Sequence, residues 1–127
     1  MHKILIVEDE FITATYLQNV LEKNKYRIVA AVPSGEEAVE IARSNSLDLV
    51  LMDIQLAREM SGFEAAETIC QRARTPILFL TANCTLPDDP DFRYCTNYRF
   101  TKKPFVESDL IANIETMFRD DAGSIRN

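Results

Sequence analysis

Five short apolar runs, most of them separated by segments of helical periodicity, constrain the fold of this chain more than any other feature. The runs are KILIV (3–7), RIVAAV (27–32), DLVLMD (48–53), PILFL (76–80) and YRFTK (98–102). Strands that alternate with helices of a dozen residues predict βαβ units and a parallel sheet. Because the most apolar runs suit a sheet covered on both faces and crossovers are right-handed, we expect an α/β fold, a doubly wound three-layer sandwich.

The first connecting segment, FITATYLQNVLEKN (11–24), is predicted to be a helix with one buried apolar face. We expect this face to be formed by Phe11, Ile12, Leu17, Val20 and Leu21.

Three further helices are predicted from their starting signals. Ser34, with Glu37 three residues later, is a capping-box pattern that opens the second helix. GFEAAETICQRA (62–73) is predicted to be the third helix, and SDLIANIETMFRD (108–120), capped by Ser108, the last.

The segment CTLPDDPDFRYCTN (84–97) breaks the pattern, because it lies where a fourth helix belongs. It carries two prolines and three aspartates without helical apolar spacing. Since proline removes a backbone donor and clashes with the preceding turn, we expect a helix here to be shortened or irregular.

Composition excludes several classes of function. The chain has 127 residues and a net charge of −6, which argues against direct binding to nucleic acid or anionic lipid. No apolar run approaches the length that a bilayer requires. Cys70, Cys84 and Cys95 have no metal-ligand spacing, so we interpret them as reduced thiols of a cytoplasmic protein. A redox role near the segment 84–97 stays open.

Polar residues stand at the carboxyl ends of four predicted strands, where open parallel sheets bind ligands. They are Glu8 and Asp9, Asp53, Thr81, and Lys102 with Lys103. Three carboxylates at one edge repel one another unless a divalent cation lies between them. Oxygen ligands without histidine or cysteine indicate Mg²⁺, which shares its remaining positions with water and phosphate. Asp53 would then be a nucleophile that forms an aspartyl-phosphate.

Each of these residues also has a simpler interpretation. Glu8 and Asp9 could cap the first helix, and Asp53 could form a turn after its strand. Phe100 could be an ordinary core residue, and Lys102 is expected to be solvated.

Taken together, Glu8-Asp9, Asp53, Thr81-Ala82 and Lys103-Pro104-Phe105 resemble the receiver domain of two-component response regulators. The spacings of 44 residues from Asp9 to Asp53 and of 22 from Thr81 to Lys103 are similar to those of the family. The resemblance covers nearly the whole chain. It implies a flavodoxin-like fold with strand order 2-1-3-4-5, and we assign residues 1–120 to the receiver domain and 121–127 to a short tail.

The resemblance also implies a role for each residue. Asp53 would accept a phosphoryl group from a sensor histidine kinase or a histidine phosphotransfer domain. Mg²⁺ would be bound by Asp9, Asp53 and the backbone carbonyl of Gln55, with Glu8 holding a metal-bound water.

Lys103 would pair with a phosphoryl oxygen, and its bond to Pro104 would be cis. Thr81 would move toward the phosphoryl group, and Phe100 would be the aromatic switch residue whose ring follows it.

Two features depart from the family pattern. The loop IQLAREMS after Asp53 is one residue longer than the commonest form, and the segment 84–97 puts the usual dimer or output surface in doubt. No output domain is expected in the seven residues after the predicted last helix, so the chain acts alone or is part of a longer regulator. The downstream partner and the oligomeric state stay open.

Two other functions compete with this interpretation. One is a receiver that has lost phosphorylation and acts as a protein-binding module. The other is a phosphohydrolase, which usually needs an acid two residues after the nucleophile, where Gln55 stands. The chain is therefore expected not to be an enzyme acting on external substrates, but a phosphoacceptor that catalyses its own phosphoryl transfer. A dinucleotide site is excluded, since the turn VEDEF has no glycine.

Overall fold

The computed structural model describes residues 1–56, 58–82 and 91–123, which form one five-stranded sheet and four helices. The strands are β1 (Lys3–Val7), β2 (Arg27–Val32), β3 (Leu49–Asp53), β4 (Ile77–Thr81) and β5 (Tyr98–Lys102). The helices are α1 (Phe11–Lys23), α2 (Gly35–Ser44), α3 (Gly62–Arg72) and α4 (Glu107–Gly123).

The sheet has the order β2-β1-β3-β4-β5, and every neighbouring pair is parallel. This confirms the predicted doubly wound fold. The order places β3 at the centre, where all five residues are buried, and β2 at an edge, where its residues are half-buried or exposed. The strand order reverses between β1 and β3, so the carboxyl ends of these two strands border the crevice in which such folds bind ligands.

Alternate residues of the central strands point to opposite faces of the sheet and belong to two separate hydrophobic cores. One face, with Ile6, Leu51 and Leu80, packs against α1 and α4. The other face, with Val7 and Phe79, packs against α2 and α3. Both faces of the strands are therefore apolar, as their uniformly apolar sequences predict.

The prediction for the buried face of α1 was wrong in part. Leu17, Val20 and Leu21 are buried, but Phe11 and Ile12 are 82% and 81% exposed. At about 100° of rotation per residue, Phe11 and Ile12 project on opposite flanks, each about 130° from the centre of the buried stripe. The five residues therefore cannot all lie on one face of the helix.

Helix starts were predicted with mixed success. Ser34 caps α2, since its Oγ accepts a hydrogen bond from Glu37 N at 3.2 Å. Ser61 and Glu64 form a capping box on α3 that the sequence analysis did not identify. Ser108 does not cap the last helix, because α4 already begins at Glu107 and Leu110 N donates to Val106 O.

The predicted irregular fourth helix lies partly outside the described residues. Residues 84–90 belong to the range that the structure does not describe, and residues 91–97 contain no helix. In the described ranges, no helix is both long and apolar enough to cross a membrane.

Candidate functional site

Three carboxylates meet at the carboxyl edge of the sheet. Glu8 and Asp9 follow β1, and Asp53 is the last residue of the adjacent strand β3. One oxygen from each of these side chains lies within 4.8 Å of the others. Glu8 and Asp53 are buried, whereas Asp9 is exposed. The group presents hard oxygen ligands without a histidine or cysteine, a donor set that fits Mg²⁺.

Lys103 connects two of these acids. Its Nζ donates to Glu8 Oε1 at 2.7 Å and to Asp53 Oδ2 at 3.1 Å. The Glu8 side chain is fully buried, while that of Lys103 is 21% exposed. A cation between two buried carboxylates offsets their repulsion and keeps them close together. Of the two candidate lysines, the structure therefore brings Lys103 into the site, whereas Lys102 is exposed.

Burial and charge shift the pKa values of this group in different directions. Burial raises the pKa of Glu8. Burial also raises the pKa of Asp9, although Asp9 is the more exposed of the two. Burial alone would lower the pKa of Lys103, but its hydrogen bonds to Glu8 and Asp53 raise it. Lys103 is therefore a permanent cation at neutral pH.

The simpler interpretation of the first acids does not hold. The N-cap residue of α1 is Glu10, which makes no side-chain capping bond, and the first turn of α1 contains no acid. The Glu8 carboxylate instead accepts hydrogen bonds from Glu10 N and Lys103 Nζ. Glu8 thus faces the site rather than the helix.

The loop after β3 folds back on Asp53. Gln55 N donates to Asp53 Oδ1 at 3.3 Å, the local bond of a turn-forming aspartate. Gly62 N donates to Ile54 O at 2.8 Å, which closes the loop at the start of α3. The backbone carbonyl of Gln55 was predicted to be a metal ligand, and this role stays a prediction. Ala57, inside the same loop, lies outside the described residues.

Thr81 and the peptide bond after Lys103 complete the edge. Thr81 is buried at the end of β4, pairs with Lys102 in the sheet, and accepts a hydrogen bond from Lys103 N through its carbonyl. The bond between Lys103 and Pro104 is cis. Thr81 thus holds the backbone of the residue whose ammonium reaches Asp53.

Phe100 belongs to an aromatic cluster on the α3 side of the sheet. Its ring stacks on Phe79, its partner in β4, with centroids 5.3 Å apart. Phe63 contacts both of these rings edge-on. Phe92 stacks on the Phe79 ring, with centroids 5.5 Å apart. Tyr98 contacts Phe79, Phe92 and Phe100 edge-on. The sequence indicates Phe100 as a switch position but does not reveal its aromatic partners, because they come from four separate segments.

Glu67 is a second residue that sequence reasoning missed. Its carboxylate accepts backbone hydrogen bonds from Arg93, Tyr94 and Cys95 at 2.6, 2.8 and 2.9 Å. Burial alone would raise the pKa of Glu67, but these three N–H groups lower it below its ordinary value. The bonds fix the segment before β5 against α3.

Fold and site together define a class: a flavodoxin-like α/β protein with a cluster of carboxylates, two of them bridged by a lysine, at the carboxyl edge of its sheet. The response regulator receiver domain model matches residues 4–115. The chain therefore belongs to the receiver-domain family of response regulators, which is consistent with a place in two-component signalling.

Curated relatives include longer proteins. The chain is 36% identical over 111 residues to the transcriptional regulatory protein YvrH of Bacillus subtilis, covering 87% of this chain and 46% of that protein. It is 36% identical over 113 residues to PdtaR of Mycobacterium tuberculosis, covering 89% and 55%. The chain thus spans about half the length of these relatives.

Solved structures support the same assignment. The N-terminal domain of a response regulator/sensory box/GGDEF protein from Carboxydothermus hydrogenoformans has a TM-score of 0.87 at 35% identity, covering 97% of this chain and 98% of that one. The receiver domain of sensor histidine kinase PA1611 from Pseudomonas aeruginosa has a TM-score of 0.79 at 30% identity, covering 92% and 97%. That structure carries a magnesium ion coordinated in its active-site cleft.

Proposed function

We propose that the chain is a phosphorylation-driven switch in which Asp53 accepts a phosphoryl group from a phosphohistidine of a sensor histidine kinase or histidine phosphotransfer domain. The observation that supports this best is the contact between Asp53 Oδ2 and Lys103 Nζ at 3.1 Å, beside two further carboxylates. A carboxylate alone at a strand end is unremarkable. Paired with a lysine at the edge of an acid cluster whose oxygen donors fit Mg²⁺, it has the partners that phosphoryl transfer requires.

The chemistry assigned to Asp53 is an in-line displacement. One of its carboxylate oxygens attacks phosphorus, the bond between phosphorus and the donor imidazole nitrogen breaks, and the imidazole leaves with the electron pair. Lys103 lies where it can neutralise charge on the transferred phosphoryl oxygens. Positioning and charge neutralisation supply most of the catalysis in such reactions, so few residues are needed.

The acid cluster would hold Mg²⁺ through Asp9, Asp53 and the Gln55 carbonyl, with Glu8 binding a metal-bound water. When bound, Mg²⁺ supplies positive charge that offsets the repulsion between the carboxylates and the incoming phosphoryl group. Support comes from the oxygen-only donor set and from the related receiver domain of PA1611, which binds magnesium in its cleft. Lys103 currently bridges Glu8 and Asp53, and in the phosphorylated protein it would turn to a phosphoryl oxygen.

The output of the switch would pass through Thr81 and Phe100. Thr81 would donate a hydrogen bond to the phosphoryl group, and the Phe100 ring would follow into the space it leaves. Such a step alters a partner-binding surface while the fold is kept. We assign this chain no enzymatic activity beyond its own phosphorylation and dephosphorylation.

The intact mass of the protein tests this proposal most directly. The protein is incubated with Mg²⁺ and a small acyl phosphate, beside an Asp53→Asn control. We expect a metal-dependent gain of one phosphoryl group in the natural protein and none in the control. No gain, with Mg²⁺ binding shown separately, would favour the second candidate, a receiver-like module that binds proteins without phosphorylation.

A protein phosphodonor would also need a docking surface close to Asp53. Phe11 and Ile12 lie two and three residues after Asp9 and are largely exposed, and Val106, two residues after Pro104, is 59% exposed. We expect the double change Phe11→Ser with Ile12→Ser to slow phosphorylation by a histidine phosphotransfer domain. Phosphorylation by the small acyl phosphate, which needs no docking surface, should be unchanged. Equal slowing with both donors would indicate damage to the site instead.

A further inference from the structure

Two buried thiols, from α3 and from the segment before β5, lie in direct contact. Cys70 Sγ and Cys95 Sγ are 3.5 Å apart, and both residues are free cysteines in the interior. The Cys95 thiol donates to Cys70 Sγ, while the Cys70 thiol lies 3.4 Å from the carbonyl of Thr75. A disulfide has a sulfur–sulfur distance of about 2.05 Å, so the two atoms must approach by about 1.5 Å.

The backbone on both sides of this pair is already fixed. Glu67 precedes Cys70 by one turn of α3 and accepts the backbone N–H groups of residues 93–95, including Cys95. The two thiols are therefore held together by contacts that do not involve sulfur. Such an arrangement gives one thiol a high effective concentration toward the other.

The two thiols differ in acidity because their surroundings differ. The hydrogen bond from Cys95 lowers the pKa of Cys70. That same bond, together with burial and the nearby Glu67 carboxylate, raises the pKa of Cys95. Cys70 is thus the thiol that ionises first.

A small cavity leads to Cys70. It has a volume of about 200 Å³ and is lined by Cys70, Arg74, Tyr94 and Asn97, among others. Arg74 is exposed, so the lining of this cavity extends from the buried Cys70 thiol to the protein surface.

We propose that Cys70 and Cys95 are a redox modification site, at which hydrogen peroxide converts the thiol pair into a reversible disulfide. The Cys70 thiolate attacks one peroxide oxygen, the O–O bond breaks and hydroxide leaves, which gives a sulfenic acid on Cys70. The Cys95 sulfur, after losing its proton, attacks the Cys70 sulfur, and hydroxide leaves again. Two thiols and one peroxide thus give one disulfide and two waters.

The proposal differs from simple packing in the expected fate of Cys70 and Cys95 when an oxidant is present. Buried cysteines commonly act as small apolar residues, and a packing pair would stay reduced. Cys84 lies outside the described residues and is not needed for this reaction. The Cys84→Ser variant therefore keeps both proposed partners and removes the alternative pairing.

The experiment treats the 127-residue Cys84→Ser protein with hydrogen peroxide at neutral pH, alkylates free thiols in denaturant, and measures the intact mass and the masses of the proteolytic peptides. We expect a loss of about 2 Da, one peptide that joins Cys70 to Cys95, and reversal by dithiothreitol. The same protein unfolded in urea is the control, and it should form the bond more slowly because the thiols are no longer held together.

Three results would overturn the proposal. One is full alkylation of both thiols after peroxide treatment of the folded protein. Another is a gain of about 16 or 32 Da on Cys70 without a cross-link, which would show overoxidation instead. The third is a disulfide between two copies of the chain. None of these outcomes depends on Asp53, so the phosphorylation proposal is tested separately.

Discussion

Two glycines at the same helix position give a matched test of how rigidly Asp53 is held. Gly35 begins α2 after its cap Ser34, and Gly62 begins α3 after its cap Ser61. Both are buried. Their surroundings differ, because Gly35 faces side chains and Gly62 faces the backbone at the end of β3.

The expected cost follows from the space at each glycine. A Cβ on Gly62 would lie 2.1 Å from the Asp53 carbonyl oxygen and 2.8 Å from Ile54 Cα. Clearing ordinary contact requires a backbone shift of about 1 Å, which we expect to cost about 3 kcal/mol or more. A Cβ on Gly35 would lie 3.0 Å from Ala65 Cβ and 3.2 Å from Met60 Cγ, so the flexible Met60 side chain must move and α2 and α3 must separate by a few tenths of an ångström. Alanine gains up to about 1 kcal/mol over glycine in a helix, which offsets this small strain, so Gly35→Ala should be nearly neutral.

Urea unfolding of Gly62→Ala and Gly35→Ala measures the difference. We expect Gly62→Ala to have a free energy of unfolding lower by about 2–4 kcal/mol than Gly35→Ala, with similar m-values. Asp53 pairs with Leu80 in β4, so its carbonyl cannot move without disturbing the central sheet. Equal stability of the two variants would refute the reasoning, because it would show that the junction of β3 and α3 relaxes freely.

Four further changes test other contacts. Glu67→Gln should destabilise the protein by about 1–2 kcal/mol at pH 7 in urea unfolding, since three N–H groups lose a charged acceptor. Folding lowers the pKa of Glu67, so this stabilisation is fully present above the pKa of an unfolded glutamate and is lost as the pH falls through the pKa of the folded protein. The difference in unfolding free energy between the natural protein and Glu67→Gln should therefore shrink in acid. Lys103→Met should cost about 3 kcal/mol in metal-free buffer, because it leaves the buried Glu8 carboxylate unpaired. Ile114→Ala should cost about 2–5 kcal/mol by opening a cavity between α4 and the sheet. Thr81→Ala should keep phosphorylation of Asp53 and abolish the accompanying change in hydrogen exchange of β5.

The sheet and the position of the site could be predicted because both depend on local patterns. Each apolar run became a strand within one residue of its predicted bounds, since burial on both faces leaves no other place for such a sequence. Once the strands were parallel, their carboxyl ends had to share one edge, which brought Glu8, Asp9, Asp53 and Lys103 together.

The features that could not be predicted depend on contacts between distant segments. Glu67 reads as an ordinary helix surface residue, and only the path of residues 93–95 turns it into an acceptor of three backbone bonds. Phe11 and Ile12 were misplaced because apolar identity was given more weight than rotation about the helix axis. Cys70 and Cys95 are 25 positions apart in the sequence, and no local pattern gives the path of the chain that brings them together.

The two proposals meet at the segment before β5. Thr81 and Phe79 lie two residues apart on β4 and project from the same face of the sheet, where Phe79 contacts both Phe100 and Phe92. A Phe100 ring that moves after phosphorylation would change its contacts with Phe79 and Tyr98, both of which also contact Phe92. Residue 92 directly precedes the three N–H groups that Glu67 holds, and a disulfide at Cys95 would add a covalent tie to α3.

Oxidation should thus oppose the rearrangement that we propose to accompany phosphorylation. Coupling between two sites in one domain is typically about 1–3 kcal/mol, and it acts equally in both directions. The Cys84→Ser protein, oxidised and then phosphorylated, should show less change in hydrogen exchange at residues 91–100 than its reduced form. By reciprocity, phosphorylation should make the disulfide easier to reduce. If oxidised and reduced proteins respond identically, the segment before β5 takes no part in the switch, and the aromatic cluster is core packing alone.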